Sequence, residues 1–402
     1  MNKIIKFNKE AGQTQQVVLP GSKSIAARAL VLDYIRGAEG CRANMPDCDD
    51  TRDLTCALSQ MRVANPGDTF NLGSGATSMR FFIALAASTE GFDGIVDCSE
   101  QMRRRPIAPL VAALQTVGAD IRYMDGYGSA PIYIKGKKLE GGPLEIDGGV
   151  SSQFISALLL SSLLWKKPLQ LTVSGEKVSH PYIEMTEKMI RRQNSSRIEP
   201  DWSAAGFFYE FALICPDRDV VIEDMENPMD SLQGDAATAS VFRQLGVGSE
   251  WLPSGQAILH GDRQYIHGLS VSGKVVEIDM RDTPDLVPAL STALALADVR
   301  FRITNVSHLH HKESDRLEAM RTELAKLGYL IEVGEDYMSW NGERCPREQK
   351  IVIDSYGDHR IAMTFAMASA VVGTVEIVGA QCVAKSFPDF YDQIQKLGYI
   401  VG

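Results

Sequence analysis

At 402 residues, 45% hydrophobic and 23% charged, the chain is long enough for two domains and has the composition of an ordinary globular protein. A net charge of −10 and a pI near 5.3 exclude a general nucleic-acid or anionic-membrane surface, so any binding of anions must rest on locally gathered Lys and Arg. Seven cysteines without a CxxC pair, an opening MNKIIKF without a secretory h-region, and a longest apolar run (Phe154 to Trp165) too short to span a bilayer point to free thiols in a cytoplasmic protein.

In chain order, Ile4 to Phe7 and Gln16 to Leu19 read as short strands. Pro20-Gly21 then ends the apolar run, and an Ala/Leu-rich helix begins near Ser22 to Ser24, bringing free N–H groups beside Lys23 and Arg28. The stretch Leu19 to Leu32 is the first of six like it. The others are Leu72 to Ser88, Asp147 to Ser162, Glu199 to Leu213, Met280 to Leu296 and Asp354 to Ala370. Each is a Gly, Ser or Asp turn followed by a helix apolar on all sides, as expected of buried helices in an internal repeat with three copies per half.

Between these units, Asp49, Asp50 and Asp53 open an amphipathic helix, and their acidity is read as helix N-capping and dipole complementation rather than metal binding. Gly91 to Cys98 leads into three arginines. Pro106 then starts the helix Ile107 to Val117 and leaves Arg105 at its entrance, with Arg103 and Arg104 on a solvated face. Strand Leu169 to Val173 precedes SHPY and the helix Ile183 to Arg191; Gln193 to Ile198 is polar and suits a domain crossing. Helices are expected over Asp235 to Leu245 and Asp315 to Leu327, with a strand at Val275 to Ile278.

No P-loop, dinucleotide fingerprint or G-x-S-x-G is present. His308, His310 and His311 lack the supporting ligands of a zinc site, so no metal is expected. In HKESDR, a cap at Ser314 or Asp315 sets Lys312, Glu313 and Arg316 around one helix N-terminus, and GDHR and AKSFPD add Arg360 and Lys385. The turns thus collect Lys23, Arg28, Arg80, Arg105, Lys312, Arg316, Arg360 and Lys385, with Asp201, Asp285 and Glu313 as acids. Cations at helix N-termini oppose the dipole, so a bound anion is expected to offset them. The inference is a small, multiply anionic substrate handled by acid–base chemistry.

With PGSKS, LGSGATSMR, RRRPI, SSQF, SHPY, SLQGD, TPD, HKESDRL, GDHR and AKSFPD, the chain resembles the 5-enolpyruvylshikimate-3-phosphate synthase family from Leu19 to Asp389. The resemblance implies an inverse α/β architecture of two domains, residues 20–199 and residues 1–19 plus 200–402. Each would hold three βαβαββ repeats, with buried helices pointing their N-termini at an interdomain cleft. It implies transfer of the enolpyruvyl group of phosphoenolpyruvate to the 5-hydroxyl of shikimate 3-phosphate, without cofactor, nucleic-acid or membrane partner, by a monomer. Lys23, Ser24, Arg28, Ser151, Ser152, Gln153, Ser179, Tyr182, Asp285 and Lys312 would hold shikimate 3-phosphate. Lys23, Ala76, Thr77, Arg105, Gln153, Arg316, Arg360 and Lys385 would hold phosphoenolpyruvate. Lys23, Asp285, Glu313, His359 and Lys385 would be catalytic, Asp285 accepting the hydroxyl proton.

The chain departs from the family at Ala26, Ala27, Ser74 and His308, and Arg191 to Glu199 is about two dozen residues short, as if a surface hairpin were missing. Ala76 stands where many members have Gly, and by resemblance its Cβ would hinder the inhibitor glyphosate more than the compact substrate. A transferase acting on UDP-N-acetylglucosamine and a non-catalytic anion-binding relative are the alternatives.

Overall fold

A computed structural model describes residues 1–10, 14–38, 42–148, 151–175, 179–192 and 195–402. They form a continuous unit, Gly21–Ile198, and a split unit, Met1–Pro20 with Glu199–Gly402. The split unit begins with β1 (Lys3–Phe7) and β2 (Thr14–Val18). The continuous unit follows with α1 (Lys23–Arg36), α2 (Asp49–Met61), β3 (Asp68–Asn71), α3 (Ala76–Ser88), β4 (Asp93–Asp97), α4 (Glu100–Arg103) and α5 (Ala108–Thr116). It ends with β5 (Asp120–Tyr123), β6 (Ile132–Lys135), β7 (Gly142–Asp147), α6 (Ser152–Ser161), β8 (Leu169–Ser174) and α7 (His180–Arg191).

The split unit resumes with α8 (Trp202–Ile214), β9 (Asp219–Glu223), α9 (Thr238–Arg243), β10 (Val247–Trp251), β11 (Ala257–Gly261), α10 (Arg263–Ser272) and β12 (Val276–Asp279). Next come α11 (Val287–Leu296), β13 (Phe301–Thr304), α12 (Arg316–Lys326), β14 (Glu332–Val333), β15 (Tyr337–Trp340) and β16 (Ile351–Asp354). It closes with α13 (His359–Val372), β17 (Val375–Val378), α14 (Phe390–Lys396) and β18 (Tyr399–Val401).

The six expected buried helices are α1, α3, α6, α8, α11 and α13. WSAAGFFYEFALI of α8 and ATSMRFFIALAAS of α3 have no polar side wide enough to meet water, and nearly all their residues are buried. In the continuous unit α1, α3 and α6 pack on one another; in the split unit α8, α11 and α13 do. The sheets lie outside these helices with one face wet, as the strict buried–exposed alternation of β7 shows.

One strand-pairing rule recurs. In β12-β13-β15-β14, β16-β17-β1-β18, β2-β9-β11-β10 and β3-β4-β6-β5 the first two strands are parallel and the remaining pairings antiparallel. Three of these βαβαββ sheets belong to the split unit. The continuous unit departs from the three copies expected: among its described residues it has one such sheet, the parallel pair β7-β8, and an isolated parallel bridge between Ala43 and Arg197. The connections 61–68 and 191–199 are too short to carry a hairpin, so those two repeats stop after their parallel pairing.

The crossings exchange strands. β2 precedes α1 in sequence yet pairs with β9, beyond α8. Ser196 to Ile198 precede α8 yet hydrogen-bond Ala43, beyond α1. Gly21 is required where the chain enters the continuous unit, because a Cβ there would lie 1.9 Å from the Asn44 carbonyl oxygen.

Candidate functional site

In the continuous unit the expected residues gather at the starts of the three central helices. Lys23 and Ser24 open α1, Ala76 and Thr77 open α3, and Ser152 and Gln153 open α6 after the capping residue Ser151, whose hydroxyl accepts the Gln153 N–H at 3.3 Å. Ser179, at φ +54°, precedes α7, and Tyr182 lies in that helix's first turn. Arg105 stands just before α5, partly buried. Its neighbours turn outward, Arg103 to Asp97 and Arg104 to Glu100.

Arg28 is 2% exposed and donates to Thr186 Oγ1 (2.7 Å), Ser156 Oγ (3.1 Å) and the carbonyls of Ser24 (2.8 Å) and Tyr182 (3.0 Å), all neutral. Burial lowers its pKa to about 10, a sign that the cation is paired with dipoles and not with a carboxylate. Arg80, also buried, donates to the carbonyls of Ala76 and Pro106 and to Gln153 Oε1 at 2.9 Å, which fixes the amide's orientation. The faces of Phe81 and Phe154 lie under the guanidinium groups of Arg28 and Arg80.

Lys23 is different. Its ammonium pairs with Asp50 at 2.8 Å, and the Asp50 side chain is 5% exposed. Only the capping part of the reading of the acidic trio is corrected here: Cys48 is the N-cap of α2, with Thr51 completing a capping box, while Asp49 and Asp50 lie in the first turn, where acids complement the dipole, and Asp50 is also the lysine's counterion.

The split unit gathers the other residues around Arg316, which is 1% exposed. Asp315 caps α12 by accepting the Glu318 N–H, so Arg316 opens the helix as expected. Its guanidinium reaches Asp285 Oδ1 (2.8 Å), Glu313 Oε2 (2.9 Å) and Asp358 Oδ2 (2.8 Å). Asp358 is also the N-cap of α13, which His359 and Arg360 open. Arg360 binds Asp285 Oδ2 at 2.8 Å, Lys312 reaches Asp285 Oδ1 at 3.5 Å, and Lys385 meets Glu313 at 3.3 Å. The cations expected to await an anion are therefore offset largely from within, by carboxylates.

Burial alone would raise the pKa of Asp285, but Arg360, Lys312 and Arg316 outweigh it and hold the carboxyl well below the usual range. Asp235 in the same unit goes the other way: burial, then the charge of Asp285, raises it. Its Oδ2 accepts from the Ser203 hydroxyl at the start of α8. The pKa of His308 falls to about 4 through burial and then Lys312, so the ring is neutral. Of the three histidines considered for zinc, His310 is instead tied to Asp315 at 2.8 Å, and no group of three or more His, Cys, Asp or Glu placed to hold a metal occurs among the described residues.

Sequence reasoning missed Asp50, Asp358 and Asp235 as partners of the site cations. All three stood in stretches already singled out, Asp358 in GDHR, Asp235 in SLQGD and Asp50 in the acidic opening of α2, but nothing in those stretches named the cation each would face.

A family model described as EPSP synthase (3-phosphoshikimate 1-carboxyvinyltransferase) matches residues 8–196 and 192–394. The chain is 35% identical to a protein of that enzyme name from Bacteroides fragilis, over 95% of both chains. It is 32% identical to one from Haemophilus influenzae, covering 94% of this chain and 95% of the other. Two solved EPSP synthase structures from Acinetobacter baumannii share the fold, with TM-scores of 0.70 and 0.71 at 21% and 22% identity, covering 100% of this chain and 100% and 99% of theirs. These matches favour the shikimate reading over the UDP-N-acetylglucosamine alternative.

Proposed function

This chain belongs to the EPSP synthase family, 3-phosphoshikimate 1-carboxyvinyltransferases, and from that premise we propose how its residues divide the work. The reaction is transfer of the enolpyruvyl group of phosphoenolpyruvate to the 5-hydroxyl of shikimate 3-phosphate, with release of phosphate, in the shikimate pathway. Lys23, Ser24, Arg28, Ser151, Ser152, Gln153, Ser179, Tyr182, Asp285 and Lys312 bind shikimate 3-phosphate. Lys23, Ala76, Thr77, Arg105, Gln153, Arg316, Arg360 and Lys385 bind phosphoenolpyruvate.

Asp285 takes the 5-hydroxyl proton as that oxygen attacks C2 of phosphoenolpyruvate. Glu313, carrying a proton once the substrates are bound and with Lys385 and His359 assigned beside the transferred group, delivers that proton to the methylene carbon, giving a tetrahedral adduct. Glu313 then takes a proton back from the new methyl group as the bond from C2 to the phosphate oxygen breaks, and the proton held by Asp285 leaves with the phosphate. The observation that carries this assignment is Asp285 bound by Arg316, Arg360 and Lys312 at 2.8, 2.8 and 3.5 Å. In that grip it is a weak base. Anionic substrates drawing Lys312, Arg316 and Arg360 toward themselves would raise its basicity, so general-base strength appears when the substrates are bound.

The free thiols of Cys48, Cys56, Cys98, Cys215, Cys345 and Cys382 suit a reducing cytoplasm, where the enzyme acts as a monomer. Among the described residues no helix is long and apolar enough to cross a membrane. The test is phosphate release measured with both substrates, with each alone, and with Asp285→Asn. Release from phosphoenolpyruvate alone, at the rate seen with both, would defeat the assignment.

A further inference from the structure

At the centre of the three-helix core of the split unit lies a carboxyl group that the reaction does not use. Glu210 sits in α8 with no exposed surface, among Phe207, Phe208 and Phe211 of its own helix. Its Oε2 is 2.9 Å from Thr364 Oγ1 of α13, and Oε1 has no hydrogen-bond partner among the described residues. Thr364 Oγ1 is also 3.3 Å from the carbonyl oxygen of Pro288 in α11. One hydroxyl hydrogen thus faces two acceptors.

Counting hydrogens decides between the protonation states. If Glu210 were ionised, Thr364 would donate to it, the Pro288 contact would lack a hydrogen, and an unpaired charged oxygen would be buried. If the carboxyl keeps its proton, it donates to Thr364, whose own hydrogen passes on to Pro288. Both contacts become hydrogen bonds and no charge is buried. Burial pushes the pKa of Glu210 well up, and the hydrogen bond with Thr364 opposes it less strongly. The titratable group coupled to it from β18 is Tyr399, whose hydroxyl donates to the Met367 carbonyl and whose field also includes Cys215 and Arg218.

The relay lies one helical turn below the reacting groups. Thr364 is four residues after Arg360 on the same face of α13, and Pro288 is three residues after Asp285. Four residues before Glu210, Gly206 lets α8 come close to this point: a Cβ there would lie 3.1 Å from Leu286 Cδ2, next to Asp285. We infer that Glu210 is a protonated hydrogen-bond donor and a positioning residue, running Glu210 to Thr364 to the Pro288 carbonyl so that α8, α13 and α11 hold Asp285 and Arg360 in register. This rests on the assignment of Asp285 and Arg360 to the reaction.

The test uses the full-length enzyme with Glu210→Gln, Glu210→Leu, Thr364→Val and, as a control on that assignment, Asp285→Asn. Glutamine donates as the neutral acid does, so Glu210→Gln keeps kcat and both KM values. Glu210→Leu and Thr364→Val lose about tenfold or more in kcat, with a smaller change in KM, at an equal folded fraction. A second reading is Tm against pH. The folded chain holds the Glu210 proton while the unfolded chain releases it above about pH 4.3, so this group costs the wild type stability as pH rises, a loss that Glu210→Gln lacks. The Tm gap between them therefore widens from pH 5 to pH 9 on the scale of a buried titration.

A gap constant over that range would overturn the protonated donor. Wild-type kcat in Thr364→Val and Glu210→Leu, with Asp285→Asn inactive, would overturn the positioning role alone. An active Asp285→Asn would instead remove the site assignment on which it rests.

Discussion

Two buried arginines, Arg28 in the continuous unit and Arg316 in the split unit, are nearly identical in exposure and opposite in electrostatics. Arg28 rests on hydroxyls and carbonyls, and burial weakens its hold on its proton. Arg316 is gripped by three carboxylates, and although burial opposes it, Asp358, Glu313 and Asp285 raise its pKa. A buried cation without a counterion is costly, and an incoming phosphate removes that cost; a buried cation inside a carboxylate cluster is already satisfied. On the proposed division of work, the continuous unit would receive negative charge, and the split unit would hold its acids ionised until substrates loosen them.

The largest effect should come from the acid cluster. Asp285→Asn should lower kcat by about 10²–10⁴-fold, the scale of a lost general base, while shikimate 3-phosphate still binds within a few-fold, as read by equilibrium titration. Retained turnover would mean that the split unit's paired charges serve structure only.

Next, the two arginines should separate by stability. Arg316→Met strands Asp358, Glu313 and Asp285, and should cost about 3–5 kcal/mol in denaturant unfolding. Arg28→Met leaves only neutral groups behind. It should be close to neutral in stability while weakening capture of shikimate 3-phosphate by about 1.5–3 kcal/mol. Equal losses of stability in the two variants would erase the contrast.

The smallest effect concerns pH. The folded-state pKa of His308 lies near 4, below the unfolded value of about 6.5, so the fold binds fewer protons in that window and loses stability as pH falls through it. His308→Asn should flatten the decline of Tm between pH 7 and pH 5. Asp235 has the opposite sign: its raised folded-state pKa costs stability as pH climbs above about 3.9, and Asp235→Asn should gain Tm as pH rises. A steeper acid decline in His308→Asn than in wild type would show that the ring is charged in the fold.

Much of this was legible in the sequence because it is local. A Gly, Ser or Asp turn before an all-apolar helix is written in consecutive residues, and all six such helices form. Arg316 at the start of α12 followed from Asp315 one residue earlier. Its partners did not follow: Asp358 is 42 residues away and Asp285 31. Lys23 and Asp50 meet only because α1 and α2 pack together, and nothing local separates a carboxylate that caps a helix from one that turns inward. Of the two truncated repeats in the continuous unit, the one at Arg191 to Glu199 was legible as a shortened segment, whereas the one at 61–68 escaped notice, because helix starts report a repeat's helices and not whether its hairpin is present.

The exchanged strands at the two crossings also set an order in time. Synthesis delivers β1 and β2 first, but their partners β17, β18 and β9 lie hundreds of residues downstream, β1 pairing Lys3 with Ile377 and Ile5 with Val401. Residues 21–198 are complete once Ile198 has left the ribosome, because the Ala43 bridge needs nothing beyond it. The first twenty residues must therefore wait, unpaired, while the later-starting unit folds. A nascent chain halted soon after Ile198 should resist protease from Gly21 onward and be cut ahead of it.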